Sequence, residues 1–149
     1  MLERFEDLPA GVTQVYKNIQ RIKKQRMNSL GLKGTQVMCI YYLSIHPEGM
    51  TAADLSRITV EDKASISRIL AELEEEGYIT YETEPGRKYR APALLTEKGR
   101  ETAVKIQQLI LQATEAGGQG LTDEEREIFY RALFQIADNL SALLTNLSK

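Results

Sequence analysis

The side chains best equipped for chemistry are Lys63, Ser65, Ser67 and Arg68, in the run DKASISRILAELEEEG from Asp62 to Gly77. Two cations and two hydroxyls so close together donate hydrogen bonds to phosphate oxygens and to the acceptor edges of bases. Further on, Arg87, Lys88 and Arg90 add three cations at and after a Pro-Gly turn. The chemistry these sets offer is recognition of a polyanion, with double-stranded DNA as the expected partner. Bond-making chemistry finds no comparable set. The chain has one His (His46) and one Cys (Cys39). It contains no Ser-His-Asp set at usable spacing and no phosphate-cradling loop, so no enzyme is expected. A zinc site of Cys/His type cannot be assembled within one chain, and no cofactor is expected.

Asp62–Gly77 reads as one helix. Asp62 suits the N-cap and Gly77 the left-handed residue after the last turn. Ile66, Ile69, Leu70 and Leu73 step by three and four into one apolar stripe, and the four polar residues named above fall off it. Glu72, Glu74, Glu75 and Glu76 crowd the far end. This polarity opposes the helix dipole, which favours anions at the start and cations at the end. A helix that presents its first turns to phosphates and bases has this arrangement.

The flanking elements make the setting. Thr51 caps a short helix, Ala52–Arg57, with Leu55 and Ile58 facing inward. A turn through Thr59, Val60 and Glu61 leads to the Asp62 helix, which is helix-turn-helix organisation. Two β-rich runs, Tyr78–Thr83 and Tyr89–Leu95, flank the Pro85-Gly86 turn as a hairpin, a basic wing beside the helix pair. Before them, Leu2, Phe5, Leu8, Val12, Val15, Ile19 and Ile22 mark a long amphipathic helix ending near Leu30, with Pro9 at a break or in its first turn. A second helix follows, from Gln36 to about His46, capped by Thr35. Cys39 lies within it as a small buried hydrophobe, and His46 is a cation-compatible helix end. After the hairpin, Thr96 caps a helix from about Glu97 to Ala116, with Val104, Ile106, Leu109 and Ile110 as its apolar side. Thr122 and Glu125 form a capping box for a last helix to about Asn146. Phe129, Leu133, Ile136, Leu140, Leu143 and Leu147 are its stripe. Long apolar stripes at both ends of the chain predict an intersubunit helical bundle.

At 149 residues and 42% hydrophobic content, one domain is expected. The net charge of −2 hides an uneven distribution. Residues 1–34 hold seven cations against three acids, and residues 101–149 hold four against seven. A specific binder needs a local basic footprint, not a basic total. The N-terminus lacks the apolar run of a signal peptide, and no 18-residue apolar stretch is present. One Cys also fits a reducing compartment, so a cytoplasmic protein with no membrane partner is expected.

Three segments together resemble the MarR (multiple antibiotic resistance regulator) family of winged-helix transcription factors. They are Gly49-Met50-Thr51-Ala52-Ala53-Asp54-Leu55, then Asp62–Gly77 against a pattern like DK-S-T-V-S/T-R-L-V-D-x-L-E-E-K-G, then Leu95-Thr96-Glu97-Lys98-Gly99. The resemblance implies a mainly α fold with a small β-hairpin wing. Within a single domain 1–149, residues 34–96 would be the winged helix-turn-helix lobe, and residues 1–33 and 97–149 the dimerisation helices. It implies a homodimeric transcriptional regulator, a repressor, on a pseudo-palindromic operator. Lys63, Ser65, Ser67 and Arg68 would face the major groove, with Arg68 reading guanine, and Arg87, Lys88 and Arg90 would act from the wing. Many members release DNA when a small aromatic ligand binds between the dimer helices and the winged helix. Tyr16, Tyr41 and Tyr42 lie on helices that would line such a crevice, although their favoured reading is as core or interface aromatics. Two departures stand out. The acid that usually precedes the wing arginines is absent from Arg87-Lys88-Tyr89-Arg90, and Thr59-Val60-Glu61 lacks the usual Leu-Gly. The competing reading is a winged-helix protein-protein interaction module without DNA binding.

Overall fold

The computed structural model describes residues 2–82 and 91–149, the side chains of Leu2, Glu3 and Phe5 excepted. Six helices and a two-stranded antiparallel sheet are seen among them: α1 Leu2–Asn28, α2 Gly34–Ile45, α3 Ala52–Thr59, α4 Lys63–Glu75, β1 Ile79–Tyr81, β2 Ala93–Leu95, α5 Glu97–Gly117 and α6 Asp123–Leu147. The mainly α winged-helix architecture expected from the sequence is present. The chain forms two compact units, Met1–Leu109 and Ile110–Lys149.

The core of the first unit is built by short local rules. On α4, Ile66, Leu70 and Leu73 are buried and Ile69 packs partly against them, as the stripe predicts. They meet Ile40 and Leu43 of α2, Leu55 of α3, Ile79 and Ala93 of the sheet, and Ala103 and Ile106 of α5. β1 and β2 pair in the register Ile79↔Leu95, Thr80↔Leu94 and Tyr81↔Ala93. Ala93 also exchanges both backbone hydrogen bonds with Met50, at 3.2 and 2.8 Å, which anchors the sheet beside the start of α3.

The caps are mostly those the sequence predicts. Thr51 Oγ1 accepts from the Asp54 N–H while Asp54 Oδ2 accepts from the Thr51 N–H. Thr122 and Glu125 repeat this reciprocal box on α6. α4 closes in a Schellman arrangement, with Tyr78 N–H donating to Leu73 O at 2.8 Å and Gly77 N–H to Glu74 O at 3.0 Å. Gly77 supplies the required positive φ of 83°.

Four expectations are corrected. α1 runs through Pro9 without a break. Pro9 lies in the second turn, where the single N–H it lacks is outweighed by the rest of the helix. The cap of α2 is Lys33 instead of Thr35. Lysine has no acceptor, so the polar work is done by Gln36, whose Oε1 accepts from the Lys33 N–H at 2.9 Å. Ile58, expected inward, is 40% exposed, and Leu55 is the buried apolar residue of this eight-residue helix. Val104 and Ile110 are exposed while Ile106 is buried as expected, because the buried side of α5 steps through Gly99, Ala103 and Ile106 at intervals of four and three, which leaves Val104 off that face.

The turn between α3 and α4 carries strain. Val60 takes φ 58° and ψ 29°, a left-handed conformation, and its side chain is 89% exposed. A β-branched residue is disfavoured there by about 1–2 kcal/mol. No burial offsets that cost. Val60→Gly relieves it and adds back some unfolded-state entropy. The net expectation is a gain of about 0.5–1 kcal/mol, read as a higher urea midpoint at unchanged slope. A loss of stability would show that the Val60 side chain contributes more than its exposure implies.

Candidate nucleic-acid interface

The first two turns of α4 form a small ordered polar surface. Asp62 caps the helix, its Oδ1 accepting from the Ser65 N–H at 2.9 Å. Its other oxygen accepts from the Ser65 hydroxyl at 2.8 Å. The Ser65 hydroxyl in turn accepts from Arg68 Nη2 at 3.2 Å. These bonds, led by the Ser65 backbone N–H, hold the Asp62 carboxyl below its ordinary value. Asp62 is therefore an anion throughout the neutral range. It fixes Ser65, and Ser65 fixes the guanidinium of Arg68.

Ser65 thus serves inside the site, with its hydroxyl committed to Asp62 and Arg68. Lys63, Ser67 and Arg68 are exposed. The structure brings these sequence-predicted residues together at one helix end, beside the α3–α4 turn. An arginine fork steadied through one Nη2 hydrogen bond keeps Nη1 and Nε for a bidentate partner such as O6 and N7 of guanine. Arg87, Lys88 and Arg90 of the wing lie outside the described residues.

The segment Leu95–Gly99 locks the far end of α4. Thr96 Oγ1 donates to Gly77 O at 2.6 Å and accepts from the Gly99 N–H at 3.1 Å. The ammonium of Lys98 donates to Glu76 O at 2.6 Å and lies 4.2 Å above the centroid of the Tyr78 ring. A cation is thereby placed at the carbonyl end of α4, where the dipole favours one. The helix that would read DNA is held at its C-terminal end by the same residues that start α5.

Gln36 of α2, which no sequence motif singles out, also reaches α4. It is 2% exposed, a buried polar side chain in an apolar helix. Its Nε2 donates to Glu72 Oε2 at 3.0 Å, and the Lys33 ammonium reaches the same oxygen at 3.4 Å. The available signal was its spacing: Gln36, Ile40 and Leu43 share one face of α2, so a polar residue on that stripe needs a partner.

The aromatic candidates divide. Tyr41 and Tyr42 pack edge to face, with centroids 5.4 Å apart, and both rest partly against the core. Tyr16 is 61% exposed on α1, outside this ring pair.

Cys39 is fully buried, and burial, reinforced by the charge of Glu61, pushes its thiol up to about 12. At pH 8 roughly one thiol in ten thousand is then ionised, and only the thiolate reacts. Native protein at pH 8 should resist iodoacetamide over hours, while protein in denaturant is alkylated within minutes, as read by intact mass. Rapid native alkylation would require local opening of α2. Among the described residues no group of His, Cys, Asp and Glu could hold a metal ion, and no helix is long and apolar enough to cross a membrane.

Comparison with known proteins places the chain in a clear structural group. Residues 30–88 match the family model described as MarR family, a span that covers the helix-turn-helix. The structure of the transcriptional regulator SlyA superposes with a TM-score of 0.77 at 20% identity, covering 91% of this chain and 95% of that one. A MarR protein from Peptoclostridium difficile gives 0.76 at 20% identity, over 89% and 86%. The S. aureus MepR-DNA complex gives 0.74 at 18% identity, over 85% and 91%. At such identities the likeness establishes the fold. No curated protein sequence matches this chain.

Proposed function

We propose, from a MarR-family helix-turn-helix carried on a MarR-type fold, that this protein is a sequence-specific DNA-binding regulator of transcription. It acts as a homodimeric repressor on a pseudo-palindromic operator. The observation that carries this reading is the ordered Asp62–Ser65–Arg68 chain at the exposed start of α4, with Lys63 and Ser67 beside it. Apart from the Asp62 cap, the first turn of α4 holds no acid and its last turn no base, the reverse of what the helix dipole favours. The relative MepR was solved on DNA, which supports the same use of this fold here.

Arg68 reads a base in the major groove, Lys63 and Ser67 hold phosphates, and Arg87, Lys88 and Arg90 extend the contact from the wing. The dimer rests on the apolar faces of the terminal helices. Phe134, Leu144 and Leu147 of α6, and Val15 of α1, are each more than half exposed, surface that a second copy would cover. Residues 1–33 and 97–149 supply the dimerisation helices, and residues 34–96 the reading lobe. Two reading helices would then enter successive major grooves roughly 34–36 Å apart. Tyr16, Tyr41 and Tyr42 mark where a small aromatic effector would bind to release DNA. The protein works in the cytoplasm.

The test is fluorescence anisotropy of the purified protein on a duplex from its own upstream region and on a scrambled duplex, across a salt series, with the dimer checked by sedimentation. Tight, salt-sensitive preference for the upstream duplex is expected. Equal weak binding to both would place the operator elsewhere and call for selection from random duplexes. No binding at low salt would favour a protein-protein module instead.

A further inference from the structure

We infer that Gln36 is a positioning residue for DNA reading, because it holds the Glu72 carboxylate away from Arg68. Arg68 and Glu72 are four residues apart on α4, the spacing at which opposite charges on a helix meet. An arginine drawn into that pair would have its fork occupied by a carboxylate in the same way a guanine would occupy it. In this structure the pair does not form. Arg68 donates to Ser65, and Glu72 Oε2 accepts from Gln36 Nε2 and from Lys33.

Gln36 is suited to this work by its own fixation. It is buried, and its Oε1 is held by the Lys33 N–H at 2.9 Å at the start of α2. Its Nε2 therefore points at Glu72 as a neutral, preset donor. The α1–α2 junction, through Lys33 and Gln36, thus decides which way an acid on the reading helix turns. The inference rests on the proposed use of Arg68 in DNA binding and adds a residue that touches no DNA.

The test uses the full-length protein with Gln36→Met, which keeps length and apolar bulk but removes both hydrogen bonds. Glu72 is then released toward Arg68, and operator affinity should fall about two- to threefold, part of what losing Arg68 altogether would cost. Adding Glu72→Gln to Gln36→Met removes the competing charge, and affinity should return to that of wild type. A purely structural role for Gln36 predicts no such rescue, and a loss that persists in the double variant overturns the inference.

A second measurement needs neither DNA nor the Gln36 variant. Glu72→Gln in the wild-type background should leave the Arg68 Nε–Hε resonance in place, because Glu72 is already held elsewhere. A displaced resonance would show that Glu72 engages Arg68 despite Gln36, and would overturn the inference even if Gln36→Met does not fold. If the resonance stays in place but no duplex binds wild type, the diversion of Glu72 stands and the DNA-binding reading is what falls.

Discussion

Gly99→Ala should cost about 3 kcal/mol of folding stability, toward the upper end of what inserting one methyl into a packed site does. A Cβ at Gly99 would lie 2.1 Å from the Tyr78 carbonyl oxygen and 3.0 Å from Leu95 Cδ2. The first of these is backbone, so no rotamer change relieves the clash. α5 must back away from the end of α4. That movement pulls on the Thr96–Gly77 and Lys98–Glu76 bonds that seat the reading helix. Gly117→Ala is the control. It ends the same helix, its Cβ would meet nothing within 4 Å, and alanine is the better helix former. Chemical unfolding of the two variants should move in opposite directions. A Gly99→Ala protein as stable as wild type would mean that α5 is not seated on Tyr78 as described.

Arg68→Ala should weaken binding to the true operator by about 1–3 kcal/mol, a factor of roughly 5 to 150, and relax preference at one base pair per half-site. Folding should be little affected, since Arg68 is exposed and its one hydrogen bond is to Ser65. Lys63→Ala gives the contrasting result. As a phosphate contact it should weaken all duplexes alike and reduce the salt slope by about one. Competition anisotropy against single-base operator variants separates the two behaviours. If Arg68→Ala leaves both affinity and base preference intact, α4 is not the reading helix.

Arg68 and Gly99 differ in how far from their own turn their surroundings are set. Arg68 is visible in the sequence because the features that expose it repeat within one helical turn. Ile66, Ile69, Leu70 and Leu73 define the buried side by spacing alone, and whatever falls off that stripe faces out. Gly99 gives no such sign. It is an ordinary third residue of a helix until Tyr78, far away in sequence, is brought against it.

The same division runs through the molecule. Caps read from sequence were right where side chain and backbone are three residues apart, as at Asp62, Thr51 and Thr122. At α2 the cap lies two residues before Thr35, at Lys33, whose own side chain carries no acceptor to signal it. Stripe assignments held for α4, packed on several elements, and slipped at Ile58 and Val104.

The sequence by itself determined the helix-turn-helix, the hairpin beside it, the polar start of α4 and the winged-helix class. All of these follow from periodicity, capping and turn chemistry acting within about four residues. Only the tertiary structure decided that Val60 bears the strain of the turn and that Leu95–Gly99 clamps the end of α4. It alone decided that Gln36 takes Glu72 out of Arg68's reach. Such choices depend on which of several feasible partners arrives first in space, and burial and direction settle that across gaps that local spacing does not encode.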